Sequence, residues 1–455
     1  MNPSVHNRPF LLPDLTGLGP DPWLLLDAAG GPGHVRGIIA AGATRSLTID
    51  QPSDDAYRQI EAFVGAGTER CFGWLAYDQL RADPLLSLPA QRGVGVPVPV
   101  VHWVAAAGAL AFEGTGPGAD LRWITRPKEG PLAERMERAV RVPRGHGKAG
   151  PAHLVPDAQS SLDHPAYLAA FDQVRQHILR GDIYEMNLCR ELCGRLPDAF
   201  DAERAFGALV QKTAAPYSAL IPWGPVRMLS ASPECFLERK GNRLTSRPIK
   251  GTAPRHEDAA SDAAAADRLR LDPKERAENV MITDLVRNDL SRIAQPASVT
   301  VEELCGIHSF RNVHQMVSTV ACNVREDVRW SDILAATFPM GSMTGAPKLR
   351  AMEITAEVEP VQRGLYSGTL GWADPDGRGG VGDFHLNVVI RTVLADLEHR
   401  KWSAHVGGAI TALAQPEAEW EETRLKARAL LEVLEQGSGE HTAPGNVLAE
   451  FGGHG

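Results

Sequence analysis

Pro248-Ile249-Lys250-Gly251-Thr252 is the stretch on which the reading of this chain turns. A lysine stands between a Pro-Ile lead-in and a Gly-Thr exit, which predicts a compact turn pressing backbone N–H groups and one amine against a ligand. Lysines are overwhelmingly solvated surface groups, so the pentapeptide assigns nothing by itself. Its meaning comes from the segments around it. Strand-like runs precede it, Val226 to Ser230 and Cys235 to Glu238. A long helix is predicted after it, from Pro273 to Ile293, with Ala277, Met281 and Leu285 on one face.

Working outward, Asp163 caps a predicted helix that opens near Pro165, carries Tyr167, Phe171, Val174 and Ile178 at helical spacing, and stops at Gly181. A third helix opens near Pro347 and a fourth runs from about Pro416 to Leu434. Residues 1–125 carry short apolar runs broken by Gly and Pro, the pattern of a strand-rich region. Residues 126–161 turn basic and Pro/Gly-rich, as in Pro143-Arg144-Gly145-His146-Gly147-Lys148, and read as a linker or excursion. Residues 436–455 read as a disordered tail. Periodicity alone thus indicates a mixed α/β chain.

Composition narrows the function. The chain has 455 residues, an apolar fraction of 43% and a net charge of −9, which fits a globular protein and not a nucleic-acid or membrane-surface binder. No apolar run approaches the about 18 residues that span a bilayer. Trp23-Leu24-Leu25-Leu26 is too short, and lacks the basic lead-in, to be a signal peptide. Cys71, Cys189, Cys193, Cys235, Cys305 and Cys322 form no paired C-x-x-C set, so a zinc site is not expected and a reduced, cytoplasmic protein is.

Two glutamate pairs stand out: Glu275 with Glu278, and Glu419 with Glu422. On a helix, residues three apart share a face, so each pair presents two carboxylates to one point. A lone Glu-x-x-Glu is ordinarily a solvated face. Two such faces converging would hold a hard dication with water left in its shell, the habit of Mg²⁺. The run Gly382 to Thr392 alternates like a strand, with Leu386, Val388 and Ile390 toward a core and Asp383, His385, Asn387 and Arg391 on the other face. An arginine so placed suits bidentate capture of a carboxylate. Ser342-Met343-Thr344-Gly345-Ala346-Pro347-Lys348 reads as a loop opening a helix, where free N–H groups favour an anion. Gly364 to Gly368 and Gly407-Gly408 add turns where backbone can approach a ligand. The G-x-G-x-x-G strings at 145–150 and 377–382 join no strand to a helix and are chance. No cysteine sits in a G-x-C-x-G elbow, so the sequence carries no glutaminase nucleophile.

Together these segments resemble the chorismate-utilising enzymes, and within them the branch that makes aminodeoxychorismate. The resemblance spans Pro165 to Leu434 in six ordered segments: 181–188, 248–252, 274–288, 342–348, 383–392 and 417–423. It implies an α/β (α+β) fold, a large two-sheet antiparallel sandwich with outer helices, with residues 162–435 as the chorismate-binding region. It also implies Mg²⁺ held directly by Glu278 and Glu422 and through water by Glu275 and Glu419. Arg391 and Tyr366 would hold the enolpyruvyl carboxylate with backbone at Gly408 and Ala409. Lys426 would lie near the ring carboxylate, and Gly251, Thr252 and Thr344 would line the same pocket.

Within the family Lys250 discriminates. Members resembling anthranilate synthase component I, the alternative assignment together with aminating relatives of secondary metabolism, carry alanine in that turn. A lysine is similar to the branch in which the amine attacks ring C2, expels the C4 hydroxyl and is then displaced by ammonia. Such an amine must be neutral, which calls for burial or a neighbouring cation to lower its pKa. The resemblance implies ammonia from a separate glutamine amidotransferase subunit and a downstream lyase. The family's Val-x-His-Leu-Val-Ser appears as Val313-His314-Gln315-Met316-Val317-Ser318, so the elimination-associated histidine is Gln315 here and His314 points elsewhere. Ala409 and Glu185 also depart from common glycine and glutamine.

Overall fold

The structure, a computed structural model, describes residues 11–27, 35–128, 130–145 and 158–436. Its frame is a run of antiparallel pairings. From Glu185–Arg195 the order passes through Lys401–Thr411, Thr392–Asp396, Val226–Ser232, Tyr217–Trp223, Trp23–Asp27 and Arg36–Ile49 to Val101–Glu113. It continues through Cys71–Leu75, Thr369–Pro375, Val381–Val388, Cys235–Lys240 and Arg243–Arg247 to Val313–Asn323. Four strands of the first 125 residues, Trp23–Asp27, Arg36–Ile49, Cys71–Leu75 and Val101–Glu113, therefore sit in the middle of the ribbon.

Successive strand residues point to opposite faces, and here both faces are buried. Trp23, Ile221, Met228 and Leu394 of one half share an apolar cluster with Phe236, Leu244, Val320 and Phe384 of the other. Their neighbours Leu24, Leu220, Leu229 and Val393 point outward, under Phe206 and Leu209 of the helix Ala202–Thr213 and Val433 and Leu434 of the helix Pro416–Gln436. The expected sandwich with outer helices is present, as two halves of one ribbon folded onto itself.

Helix ends fall where the sequence places them. The Asp163 carboxylate accepts a hydrogen bond from Ala166 N, and Gly181 closes His164–Arg180 with φ +82°. Asp272 caps Pro273–Ser291 by accepting from Lys274 N and Glu275 N. That helix packs a different face from the one expected. Ala277 is exposed and Met281 and Leu285 are half-buried, whereas Glu278, Asn279, Ile282, Thr283 and Val286 are buried. The buried stripe contains the polar groups that serve the cleft, which a hydropathy pattern assigns to solvent. The 126–161 stretch holds a helix, Leu132–Arg141, that buries Met136, Ala139 and Val140. His146 to Lys148, the first G-x-G-x-x-G string beyond Gly145 and the tail from 437 lie outside the described residues; the second string turns a hairpin between Thr369–Pro375 and Val381–Val388. All six cysteines are free, and no helix among the described residues is long and apolar enough to cross a membrane.

One buried ion pair pins several of these elements. Arg363 donates to both Glu359 oxygens at 2.9 and 2.7 Å, to Met343 O at 2.6 Å and to Asn187 O at 2.9 Å, while Glu359 also accepts from Cys189 N at 2.8 Å. Removing one partner of such a pair strands the other charge. Arg363→Met is therefore expected to cost about 3–5 kcal/mol, read as a lower urea midpoint at unchanged slope; a loss below about 1 kcal/mol would refute the pinning role.

Candidate active site

A cleft of about 380 Å³ opens where the two ends of the ribbon meet the helices Pro273–Ser291 and Pro416–Gln436. Lys250 reaches it from the strand Ile249–Pro254. Ile249 pairs with Val317 but Thr252 with Gln315, so one extra residue is accommodated, and Gly251 at φ +88° allows it. The expected compact turn is thus a bulged strand edge, a device that re-aims a side chain. Lys250 Nζ donates to Glu185 Oε1 at 2.7 Å, with the lysine side chain 11% exposed and the glutamate 2%. Burial by itself would lower the Lys250 pKa, but Glu185, Glu278 and Glu234 outweigh it and hold the ammonium above its ordinary value. The amine is charged at rest, the reverse of the expected lowering, because carboxylates surround it.

All four glutamates of the two pairs line the cleft. A methyl group on Gly408 would stand 3.2 Å from Glu419 Oε2 and 3.6 Å from Glu422 Oε1, so both carboxylates lean over one glycine. Among the described residues Glu278 Oε1 and Glu419 Oε2 are buried with no hydrogen-bond partner. All-oxygen donors with unsatisfied atoms on both helices fit a hard dication. The ligand set is nevertheless open, since among the described residues no three acidic, histidine or cysteine side chains converge to hold an ion. Lys274 stands between the pairs, 2.8 Å from Glu419 Oε1 and 3.7 Å from Glu278 Oε1. Burial by itself would raise Glu422, but Lys426 at 2.5 Å pulls it below the usual carboxylate range.

Arg391 lines the same cleft beside Tyr366. It does not arrive by strand alternation: the strand ends at Val388, and Arg391 adopts φ +52°, its carbonyl accepting from Ala231 N. Among the described residues it forms no ion pair, so its charge is free for an anion. Tyr366 stacks on His405 at 5.3 Å, and Cys189 Sγ contacts its hydroxyl at 3.9 Å. Gly251, Thr252, Ala409 and Lys426 also line the cleft; Lys426 donates to Gly407 O at 2.7 Å. Thr344 does not. It is buried, its hydroxyl donates to Met340 O at 3.2 Å, and its carbonyl accepts from Asn187 N, so the loop contributes Ser342 and Met343 instead. Gln315 faces the cleft, while His314 turns away to Asp262 and Ser309 at 3.0 and 2.8 Å. His385, expected on the Arg391 face, packs at a tilt against Tyr217, ring centroids 5.0 Å apart, in a separate cavity of about 490 Å³ that contains none of these groups.

Residues 29–432 match the chorismate binding enzyme family. The chain belongs to that family. It is 38% identical over 421 residues to aminodeoxychorismate synthase component 1 of Salmonella typhimurium, covering 87% of this chain and 85% of that protein. It is 40% identical over 288 residues to aminodeoxychorismate synthase of Streptomyces griseus, 63% of this chain but only 38% of that longer protein. Anthranilate synthase component I of Streptococcus pneumoniae TIGR4 superposes with a TM-score of 0.71 at 23% identity, covering 88% of this chain and 93% of that one. That likeness establishes the fold.

Sequence reasoning missed three groups of this chorismate-family cleft: Lys274, His405 and Glu234. Glu234 offered a signal, a lone carboxylate in the apolar run Ala231 to Leu237. It is buried in the link between two strands, and burial lifts its pKa to about 7 despite Ser342 and Lys250 nearby. A carboxyl raised from 4.5 to about 7 contributes stability that is complete below 4.5 and lost as pH rises through 7. Glu234→Gln is therefore expected to be more stable than the parent by about 3 kcal/mol at pH 8 and no more stable at pH 4.5, while losing activity. A pH-independent difference in melting would refute the buried-acid assignment.

Proposed function

We propose that this chain aminates chorismate to 4-amino-4-deoxychorismate, using ammonia from a separate glutamine amidotransferase subunit and passing its product to a lyase. The observation that carries this reading is Lys250, a buried amine in the same cleft as two glutamate pairs and an arginine that forms no ion pair among the described residues. Chorismate is a dicarboxylate. Arg391 and Tyr366 take its enolpyruvyl carboxylate, and the ring carboxylate lies toward Lys426 and the glutamates. Fixing both ends sets ring C2 before Lys250. Mg²⁺ held by Glu275, Glu278, Glu419 and Glu422 would draw electron density from the ring carboxylate.

Lys250 first gives up a proton, and Glu185 is the carboxylate in contact to take it. The free amine attacks C2, the ring double bond shifts, and the C4 hydroxyl leaves as water with a proton from the Glu234 acid. Ammonia then adds at C4 and the electron shift reverses, expelling the lysine from C2. Gln315 supplies no imidazole for pyruvate elimination, which fits a reaction that stops at the aminated ring. The six free thiols fit a reducing compartment.

Purified chain with chorismate, Mg²⁺ and ammonium is expected to yield aminodeoxychorismate, detected as 4-aminobenzoate once a lyase is added. Anthranilate fluorescence instead would overturn the assignment. Lys250→Ala is expected to lower kcat by about 10³-fold or more, the loss of a removed nucleophile, with its circular dichroism unchanged; full activity would exclude the covalent role. Glu278→Ala is expected to abolish turnover and the response to added magnesium together, and an unaltered magnesium titration would remove Glu278 from the ligand set.

A further inference from the structure

We propose that Lys274 is a built-in counter-ion of the carboxylate cluster and that a divalent cation enters by displacing it. The inference rests on reading the glutamate pairs as a metal site. Lys274 is the second residue of its helix, and its ammonium crosses to Glu419 on the opposing helix while remaining 3.7 Å from Glu278 on its own. It links one member of each pair. The carboxylates it joins are buried, with side chains 2% and 7% exposed, whereas Lys274 is 32% exposed and has an open side toward solvent. The anchors are fixed and the bridge lies at the rim.

One ammonium does not satisfy the cluster. It hydrogen-bonds Glu419 Oε1, but among the described residues Glu419 Oε2 and Glu278 Oε1 stay buried without a hydrogen bond, Glu278 Oε1 having only the long 3.7 Å ion pair. A dication with several oxygen ligands would use these atoms, and it cannot share that space with a positive lysine. The lysine stem is flexible and its ammonium compact and well hydrated, so it can leave without disturbing the helix that carries it. Lys274 thus holds Glu419 and Glu278 together across the two helices when no ion is bound and weakens the apparent affinity for the ion when one is.

A ligand that binds only the lysine-out arrangement has its affinity reduced by the fraction of molecules in that arrangement. Calorimetric titration of Mg²⁺ into substrate-free Lys274→Met is therefore expected to show a Kd about tenfold tighter than the parent, with a lower Tm in chelator that Mg²⁺ restores. Lys274→Arg keeps a competing cation and stays near the parent Kd. In the parent, amine labelling of Lys274 read by peptide mass spectrometry rises when Mg²⁺ is added, a measurement independent of how the variants fold. Mg²⁺ binding by the parent with an unchanged or weaker Kd in Lys274→Met, or with unchanged labelling, overturns the displacement and leaves the metal reading intact. No Mg²⁺ binding by parent and variant alike overturns both.

Discussion

The buried Glu359–Arg363 pair is the interaction on which the rest of the architecture leans. Taking both charges out of water is expensive, and the expense is offset only because nearly every hydrogen-bonding position is used. The arginine is tied to the carbonyls of Asn187 and Met343, and the glutamate to the amide of Cys189. Those contacts lock the Glu185–Arg195 strand to the 341–343 turn and set the segment that presents Tyr366. A cleft wall assembled from distant parts of the chain is thereby held in one geometry before any ligand arrives.

On that scaffold the cleft solves a charge problem. Glu185, Glu234, Glu275, Glu278, Glu419 and Glu422 crowd a region of low solvent exposure, and Lys250, Lys274 and Lys426 are set among them. Lys426, in contact with Glu422, keeps that acid ionised with its pKa lowered. Where desolvation outweighs the neighbouring charges, as at Glu234 and Glu278, the pKa climbs to about 7. One cleft therefore holds anionic groups suited to a dication beside a carboxyl group able to donate a proton at neutral pH.

Much of the fold was legible because its signals are local. Asp163 and Gly181 bound a helix through a side-chain cap and a left-handed residue, both readable from residue type. The glutamate pairs were legible because helical spacing alone puts residues three apart on one face. The Lys250 bulge and the kink at Arg391 were not, since each depends on which strand pairs with which and where the pairing slips. The helix carrying Glu275 and Glu278 was assigned the wrong buried face for a related reason: its polar stripe is buried by tertiary partners, as where Asn279 donates to Met316 O and accepts from the Ser318 hydroxyl of the strand Val313–Asn323.

The sequence by itself determined residue chemistry and local geometry: an amine in a Gly-containing segment, four carboxylates in two helical pairs, an arginine after a strand, and helix ends marked by their caps. Only the tertiary structure decided their electrostatic state. Lys250 is a charged amine because Glu185 contacts it from a strand that does not pair with its own, Thr344 is a packing residue because its hydroxyl is taken by backbone, and Lys274 bridges two helices that meet only when the ribbon folds back. Charge–charge energies depend on distance and desolvation, and both are properties of the assembled chain.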